Sequence, residues 1–214
     1  MSHPPDLKIY HITHIDNLRS IQQSGHIYSD AWMLKNNLTV QNIGMSDIKR
    51  RRLNDINVSP FPETKVGEYV PFYWCPRSVM LYIIYRGNNS DLAYKGGQSP
   101  ILHLQFDLDK VLAYAEQHQI KWAFSSTNAG AFYTSFFNDV SDLQEINWQA
   151  IKASDFRDPN TKDKKQAEFL FYDSFPFLLI EKIGVYDQKR QAQTVALLPP
   201  DLHPLVQIER AWYF

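Results

Sequence analysis

A chain of 214 residues with 44 % hydrophobic content can bury one sizeable core, and length alone favours a single domain over 1–214. Its 22 Lys and Arg against 23 Asp and Glu leave a formal charge of −1, which excludes a protein that coats polyanions over its whole surface. The one cysteine, Cys75, excludes an internal disulfide, and the sequence has neither a signal-peptide core nor a run near the roughly 18 apolar residues of a membrane span, so the expected setting is cytoplasmic and soluble.

"KIYHIT" (8–13) reads as a strand, and "HIDNLRSIQQSG" spaces Leu18 and Ile21 like one helical face before stopping at Gly25. "SDIKRRRLND" (46–55) opens on the N-cap types Ser46 and Asp47; as a helix it would put Asp47, Arg51 and Asp55 on one face. "YVPFYW" (69–74) is aromatic and β-branched enough for a strand, and "CPRSVMLYIIYRGN" follows as a helix with Pro76 near its start and Gly87 at its end. "ILHLQFDL" (101–108) reads as a strand, "DKVLAYAEQHQ" (109–119) as a helix and "KWAFSS" (121–126) as a strand; the chain from 128 to 165 turns polar and irregular. "AEFLFYD" (167–173), "FLLIEKIGVYD" (177–187), "QTVALL" (193–198) and "LVQIERAWYF" (205–214) close it as consecutive strands. Helices early and strands late predict an α+β fold without the regular alternation of a parallel sheet. There is no internal repeat and no dividing linker.

The fingerprints of dinucleotide-fold dehydrogenases, P-loop NTPases, zincins and α/β-hydrolases are all absent. His11 and His14 are three apart, but no carboxylate or cysteine cluster completes a metal-ligand set. Cys75 lies in an aromatic strand, where a small buried hydrophobe is its ordinary role. "KRRR" (49–52) is either a solvated helix face or a fork for a bidentate anion. Glu168, at the head of an apolar strand, is either a charge reaching water or a carboxylate framed by aromatics that meets a developing cation or takes a proton. With 12 Tyr, 13 Phe and 5 Trp, flat rings for stacking are plentiful.

Five segments, in order, resemble the DarT family of DNA ADP-ribosyltransferase toxins: "IYHITHIDNLRSIQQSG" (9–25), "IGMSDIKRRRLNDINV" (43–58), "YVPFYWCPRSVMLY" (69–82), "STNAGAFYTSFF" (126–137) and "KKQAEFLFYD" (164–173). The resemblance covers nearly the whole chain. It implies an ADP-ribosyltransferase-like split, mostly antiparallel sheet flanked by helices, with NAD as a substrate bent into a central cleft and no metal.

The resemblance also implies roles. His11, with Thr13 and Asn17 beside it, would hold the adenosine ribose and nicotinamide half of NAD. Arg51 would sit beside the phosphates and the catalytic glutamate, with Asp47 orienting its guanidinium; Arg52 is too close to be separated from it by sequence. Phe72, Tyr73 and Ser78 would line the nicotinamide pocket, Tyr73 as the stacking face; Trp74 stands where the family often has Phe. Glu168 would be catalytic, stabilising the positive charge that develops on the ribose as nicotinamide leaves. The segment from about Asp139 to Lys165 would choose the acceptor through Trp148, Phe156, Arg157, Lys162, Lys164 and Lys165. The implied acceptor is a base in single-stranded DNA, thymine first and guanine as the alternative, and the implied partner is a macrodomain antitoxin that removes the mark. RNA or protein as acceptor, a non-catalytic nucleic-acid binding module and a metal-dependent nuclease are the competing readings.

Overall fold

The computed structural model describes residues 4, 6–38 and 40–214. Most elements begin and end where local chemistry dictates. Helix α1 (Leu18–Ser24) buries Leu18 and Ile21 and stops at Gly25, and α4 (Val79–Arg86) starts at Ser78, whose hydroxyl accepts from Leu81 N–H, and stops at Gly87. Both glycines are left-handed, at φ 72° and 62°, a region that costs a Cβ-bearing residue. Strand β6 (Ile101–Asp107) hands over directly to α5 (Leu108–Gln117), because Asp107 at the strand's end accepts from Lys110 N–H and caps the helix.

One eight-stranded sheet organises the chain. Its order is β12 (Val206–Ile208), β11 (Ile180–Val185), β6, β1 (Lys8–His14), β5 (Tyr69–Tyr73), β9 (Ala167–Tyr172), β7 (Trp122–Asn128) and β8 (Phe136–Phe137). Every pairing is antiparallel except β11 with β12. Two small ladders flank it, β2 (His26–Tyr28) with β10 (Ser174–Pro176), and β3 (Asn57–Val58) with β4 (Phe61–Lys65).

The middle of this sheet is split. β1 pairs with β6 over its whole length but meets β5 only at Tyr10 and Tyr73. The cause is legible at Pro71: it has no N–H to give a ladder bond, and its carbonyl is taken by the His11 ring, whose Nδ1 donates at 3.0 Å. The strands part there, and a cleft opens between them.

Behind the sheet, Phe72, Phe106, Phe169, Phe171 and Phe175 form an aromatic core with Leu18, Leu102 and Leu104. A second cluster packs α4 through Leu81 and Ile84 against Ile12, Ile101 and Tyr213. Among the described residues no helix is long and apolar enough to cross a membrane.

The late run of strands is shorter than the sequence suggests. Residues 193–195 are the end of a helix, α8 (Gln188–Val195), and 196–198 turn after it, because Asp187 caps the helix by accepting from Arg190 N–H and a run of strong helix formers follows. Residues 177–179 form a 3₁₀ turn before β11, and the last segment pairs only over Val206–Ile208 before another such turn. Helix α3 (Ser46–Asn54) is capped by Met45 without a side-chain bond, so neither Ser46 nor Asp47 serves as the cap. The segment from 128 to 165 is built of short pieces, including α6 (Trp148–Lys152) and α7 (Pro159–Lys164).

Two outcomes follow. Phe72→Ala should cost about 3–5 kcal/mol in chemical denaturation, since the ring is fully buried; wild-type stability in that variant would place Phe72 outside the core. His103 is fully buried, and its imidazole is pushed by burial from 6.5 down to about 4, although Nε2 donates to Pro76 O at 2.9 Å. The unfolded chain therefore binds this proton near pH 6.5 and the folded one only near about 4. Stability should fall as pH drops through that window, by about 3 kcal/mol in all from this group, and His103→Gln, which keeps a donor, should flatten the slope.

Candidate active site

Glu168 stands on β9 opposite Tyr73 of β5 and is only 4 % exposed. A carboxylate so far from water needs a partner, and Arg52 of α3 supplies it. Its Nη1 donates to both carboxylate oxygens, at 3.0 and 2.8 Å, and the Glu168 backbone N–H donates to Ser125 Oγ at 3.1 Å. Burial by itself disfavours the charge on Arg52; the field of Glu168 and the hydrogen bonds to it outweigh that and hold the guanidinium more firmly protonated than in water.

This pair forms one wall of a cavity of about 380 Å³. β1 contributes His11 and Thr13, β5 contributes Pro71 and Tyr73, and α4 contributes Met80 and Ile83. Because Pro71 O can only accept, the His11 proton is on Nδ1, and Nε2 is left as an acceptor. Burial, the largest influence, keeps the ring below its ordinary pKa and therefore neutral at pH 7. At Tyr73 burial, reinforced by Glu168, pushes the hydroxyl far above its usual range, so it remains a donor. Asp30 of α2 (Asp30–Lys35) and Lys49 of α3 also line the cavity, bonded to each other at 2.7 Å.

The structure sorts the residues singled out in the sequence. His11, Thr13, Asn17, Tyr73 and Glu168 meet at the cavity. Asn17 spends its amide on the chain itself: Nδ2 donates to Thr13 Oγ1 and Gln41 O, and Oδ1 accepts from Gln41 N–H at 2.8 Å, so it pins the 41–45 segment over the cleft. The guanidinium that meets Glu168 is that of Arg52; Arg51 does not line the cavity, being one helical step, about 100°, away. Asp47 turns to Arg50 at 3.7 Å, both highly exposed, and orients neither arginine.

Phe72 and Ser78 also leave the site. Successive strand residues face opposite sides, so with Tyr73 in the cleft Phe72 enters the aromatic core, where it lies against the His11 ring at 5.7 Å. Ser78 is fully buried as the cap of α4.

Of the expected acceptor contacts, Phe156 and Lys165 are buried and Trp148 is half-buried. Trp148 donates its Nε1–H to Leu143 O and packs edge-on against Trp74, and Phe156 packs on Tyr82 and Phe214. Lys165 is 3 % exposed and donates to Ile151 O and to the Cys75 thiol. Burial raises the Cys75 thiol above its ordinary pKa despite Lys165, which suits a packed thiol better than a nucleophile. Arg157 is exposed and paired with Asp155, Lys162 is exposed and Lys164 half-buried.

Sequence reasoning missed Asn128 and Gln166, which line the cavity next to Glu168 and bond to each other at 3.0 Å. Gln166 lies two residues before Glu168, a spacing that puts both on one face of an extended chain. It also missed Tyr28 and Asp30, which line the cavity and for which the sequence carries no periodic signal. Among the described residues no group of three or more His, Cys, Asp or Glu converges as for a metal. A fixed carboxylate, a guanidinium, a neutral imidazole acceptor and a phenolic donor around one cavity suit a polar, sugar-bearing ligand whose positive charge increases during reaction.

Comparison with known proteins agrees with this chemistry. The family described as "DarT: ssDNA thymidine ADP-ribosyltransferase, DarT" matches residues 10–214. A DNA ADP-ribosyl transferase of Thermus aquaticus is 40 % identical over 217 residues, covering 100 % of this chain and 92 % of the relative. The structure of Thermus sp. 2.9 DarT in complex with ADP-ribosylated ssDNA superposes with a TM-score of 0.86 at 35 % identity, over 100 % of this chain and 99 % of that one. The same protein in complex with NAD+ gives 0.82 at 34 %, with 100 % of both chains covered. On a family match that begins in β1 and runs through Phe214, the chain belongs to the DarT family of ssDNA thymidine ADP-ribosyltransferases.

Proposed function

We propose that this chain transfers ADP-ribose from NAD+ to thymine in single-stranded DNA, in the cleft between β1 and β5. The observation that carries the reading is the buried Glu168 carboxylate held by Arg52 at the cavity wall. The relatives solved with NAD+ and with ADP-ribosylated ssDNA, alike over the whole chain, support it.

NAD+ supplies the ADP-ribosyl group when bound, and nicotinamide is the leaving group. Glu168 provides a fixed negative charge for the ribose carbon as it becomes electron-poor, and its oxygens are the acceptors for a ribose hydroxyl or for the proton of the attacking base. Arg52 holds that carboxylate in place through both oxygens, and it replaces Arg51 in the role inferred from sequence. His11 offers a neutral nitrogen to a sugar hydroxyl; Tyr73 offers a ring face and a hydroxyl donor. Thr13 shapes the floor, and Asn17 fixes the 41–45 segment above it. Arg157, Lys162 and Lys164 are the cations left for the DNA backbone. A toxin role, a macrodomain partner that removes the adduct and a cytoplasmic setting complete the reading; the resemblance to the family supports these.

Labelled NAD+ offered with thymine-containing single-stranded DNA, a thymine-free strand, duplex DNA, RNA and a protein acceptor tests the whole reading. Label should reach the thymine-containing single strand alone, and Glu168→Ala should reduce it about 10²–10⁴-fold. Label only on RNA or protein would sink the substrate assignment. In the same assay Arg52→Ala should cost at least about 10²-fold, whereas Arg51→Ala should stay within a few-fold; the reverse ranking would return the role to Arg51.

A further inference from the structure

Phe132 and Tyr133 take no part in the core or in the cleft, yet among the described residues they are the most exposed aromatic side chains, at 69 % and 71 %. Large apolar groups left in water side by side mark an interaction surface more often than chance. Here the chain holds them out with a built turn rather than a loose loop. Asn128 Oδ1 accepts from Gly130 N–H at 2.7 Å, its carbonyl accepts from Ala131 N–H, and Thr127 donates to Thr134 at 3.0 Å across the turn's base. The Tyr133 hydroxyl donates to Asp163 on α7 at 2.9 Å, which fixes that ring against the helix carrying Lys162 and Lys164.

The same turn is anchored to the catalytic wall. Asn128 bonds Gln166, two residues from Glu168, and a Cβ on Gly130 would lie 3.0 Å from Ile48 and 3.7 Å from the Arg52 side chain. An exposed aromatic pair, on a turn bonded to the catalytic wall through Gln166 and to the helix that carries Lys162, matches one kind of partner. Unpaired bases stack on rings while lysines meet the phosphates, and stacking tolerates any base because every base has a π-face.

We propose that Phe132 and Tyr133 are a stacking platform for the nucleotides flanking the acceptor base, with the exposed Lys162 of α7 available to the phosphates. This rests on the reading of the cleft as a single-stranded DNA site, and it replaces the half-buried Trp148 and the buried Phe156 as the source of stacking. The rings are positioning residues: they hold the strand so that one base reaches the cleft.

The test measures binding and turnover of a fluorescent thymine-containing single strand by the wild-type chain, by Phe132→Ala/Tyr133→Ala, and by the ring-retaining Phe132→Tyr and Tyr133→Trp. The double alanine variant should raise the DNA Kd and KM at least about tenfold, with kcat at saturating DNA and KM for NAD+ little changed; the ring-retaining variants should remain within about twofold, as expected where a π-face suffices. Equal DNA affinity in wild type and the double variant overturns the platform while leaving the cleft reading intact. Loss as large in the ring-retaining variants as in the alanine variant overturns it as well, because a π-face would not then be what matters. A wild-type chain that neither binds nor labels single-stranded DNA overturns both readings at once.

Discussion

Removing a carboxylate from water costs several kcal/mol, and the attraction to a partner offsets that only when the geometry is good. Glu168 sits at 4 % exposure, and its ionic partner Arg52 comes from a helix 116 residues earlier in the chain. The position of α3 is therefore a requirement of the site. Gly67 meets part of it: a Cβ there would come within 2.8 Å of the Leu53 Cα, so only glycine lets α3 lie this close to the 3₁₀ turn that leads into β5. Lys49 meets another part by pairing with Asp30 of α2. Helix, turn and strand are locked together around one charge pair.

The other constraint is the interruption of the sheet. A continuous ladder between β1 and β5 would leave no room for a ligand, and Pro71 prevents it by lacking an N–H where β1 would need a donor. His11 then satisfies the Pro71 carbonyl with its side chain. One residue both fills the gap in the hydrogen bonding and presents its second nitrogen to the cavity. Opening the cleft thus leaves no buried carbonyl unpaired at this point, where an orphaned group would cost about 1–3 kcal/mol.

Local chemistry made much of this readable beforehand. The strand at 8–13, the Gly25 and Gly87 stops and a helix ending at Gly87 follow from short-range rules and hold, although that helix starts at Val79, capped by Ser78, and not near Pro76. Glu168 at a strand head, with His11, Thr13, Asn17 and Tyr73 around it, was reachable through the resemblance and is brought together by the sheet. The site residues that were misplaced share a physical origin, which way a side chain faces. Phe72 and Tyr73 are equivalent as letters and opposite in the pleat; Arg51 and Arg52 differ by one helical step. Lys165 and Trp148 have the composition of a nucleic-acid surface, but tertiary packing buries Lys165 and sets the half-buried Trp148 edge-on against Trp74. The strand expected at 193–198 lost to the Asp187 cap, a signal present in the sequence and outweighed there by its apolar residues. Asp30 and Lys49 were beyond reach because their pairing depends on how two separate helices dock.

Whether Arg52 and Glu168 act as one unit in transfer is measured by a double-mutant cycle on the ADP-ribosylation rate. Wild type, Arg52→Ala, Glu168→Ala and the double variant are compared at saturating NAD+ and single-stranded DNA, with each variant's folded fraction checked by thermal unfolding. If the pair is one unit, the double variant loses no more than the worse single variant, because either removal already dismantles the arrangement. Losses that multiply would show that the two side chains act independently, and that Arg52 does not work through Glu168.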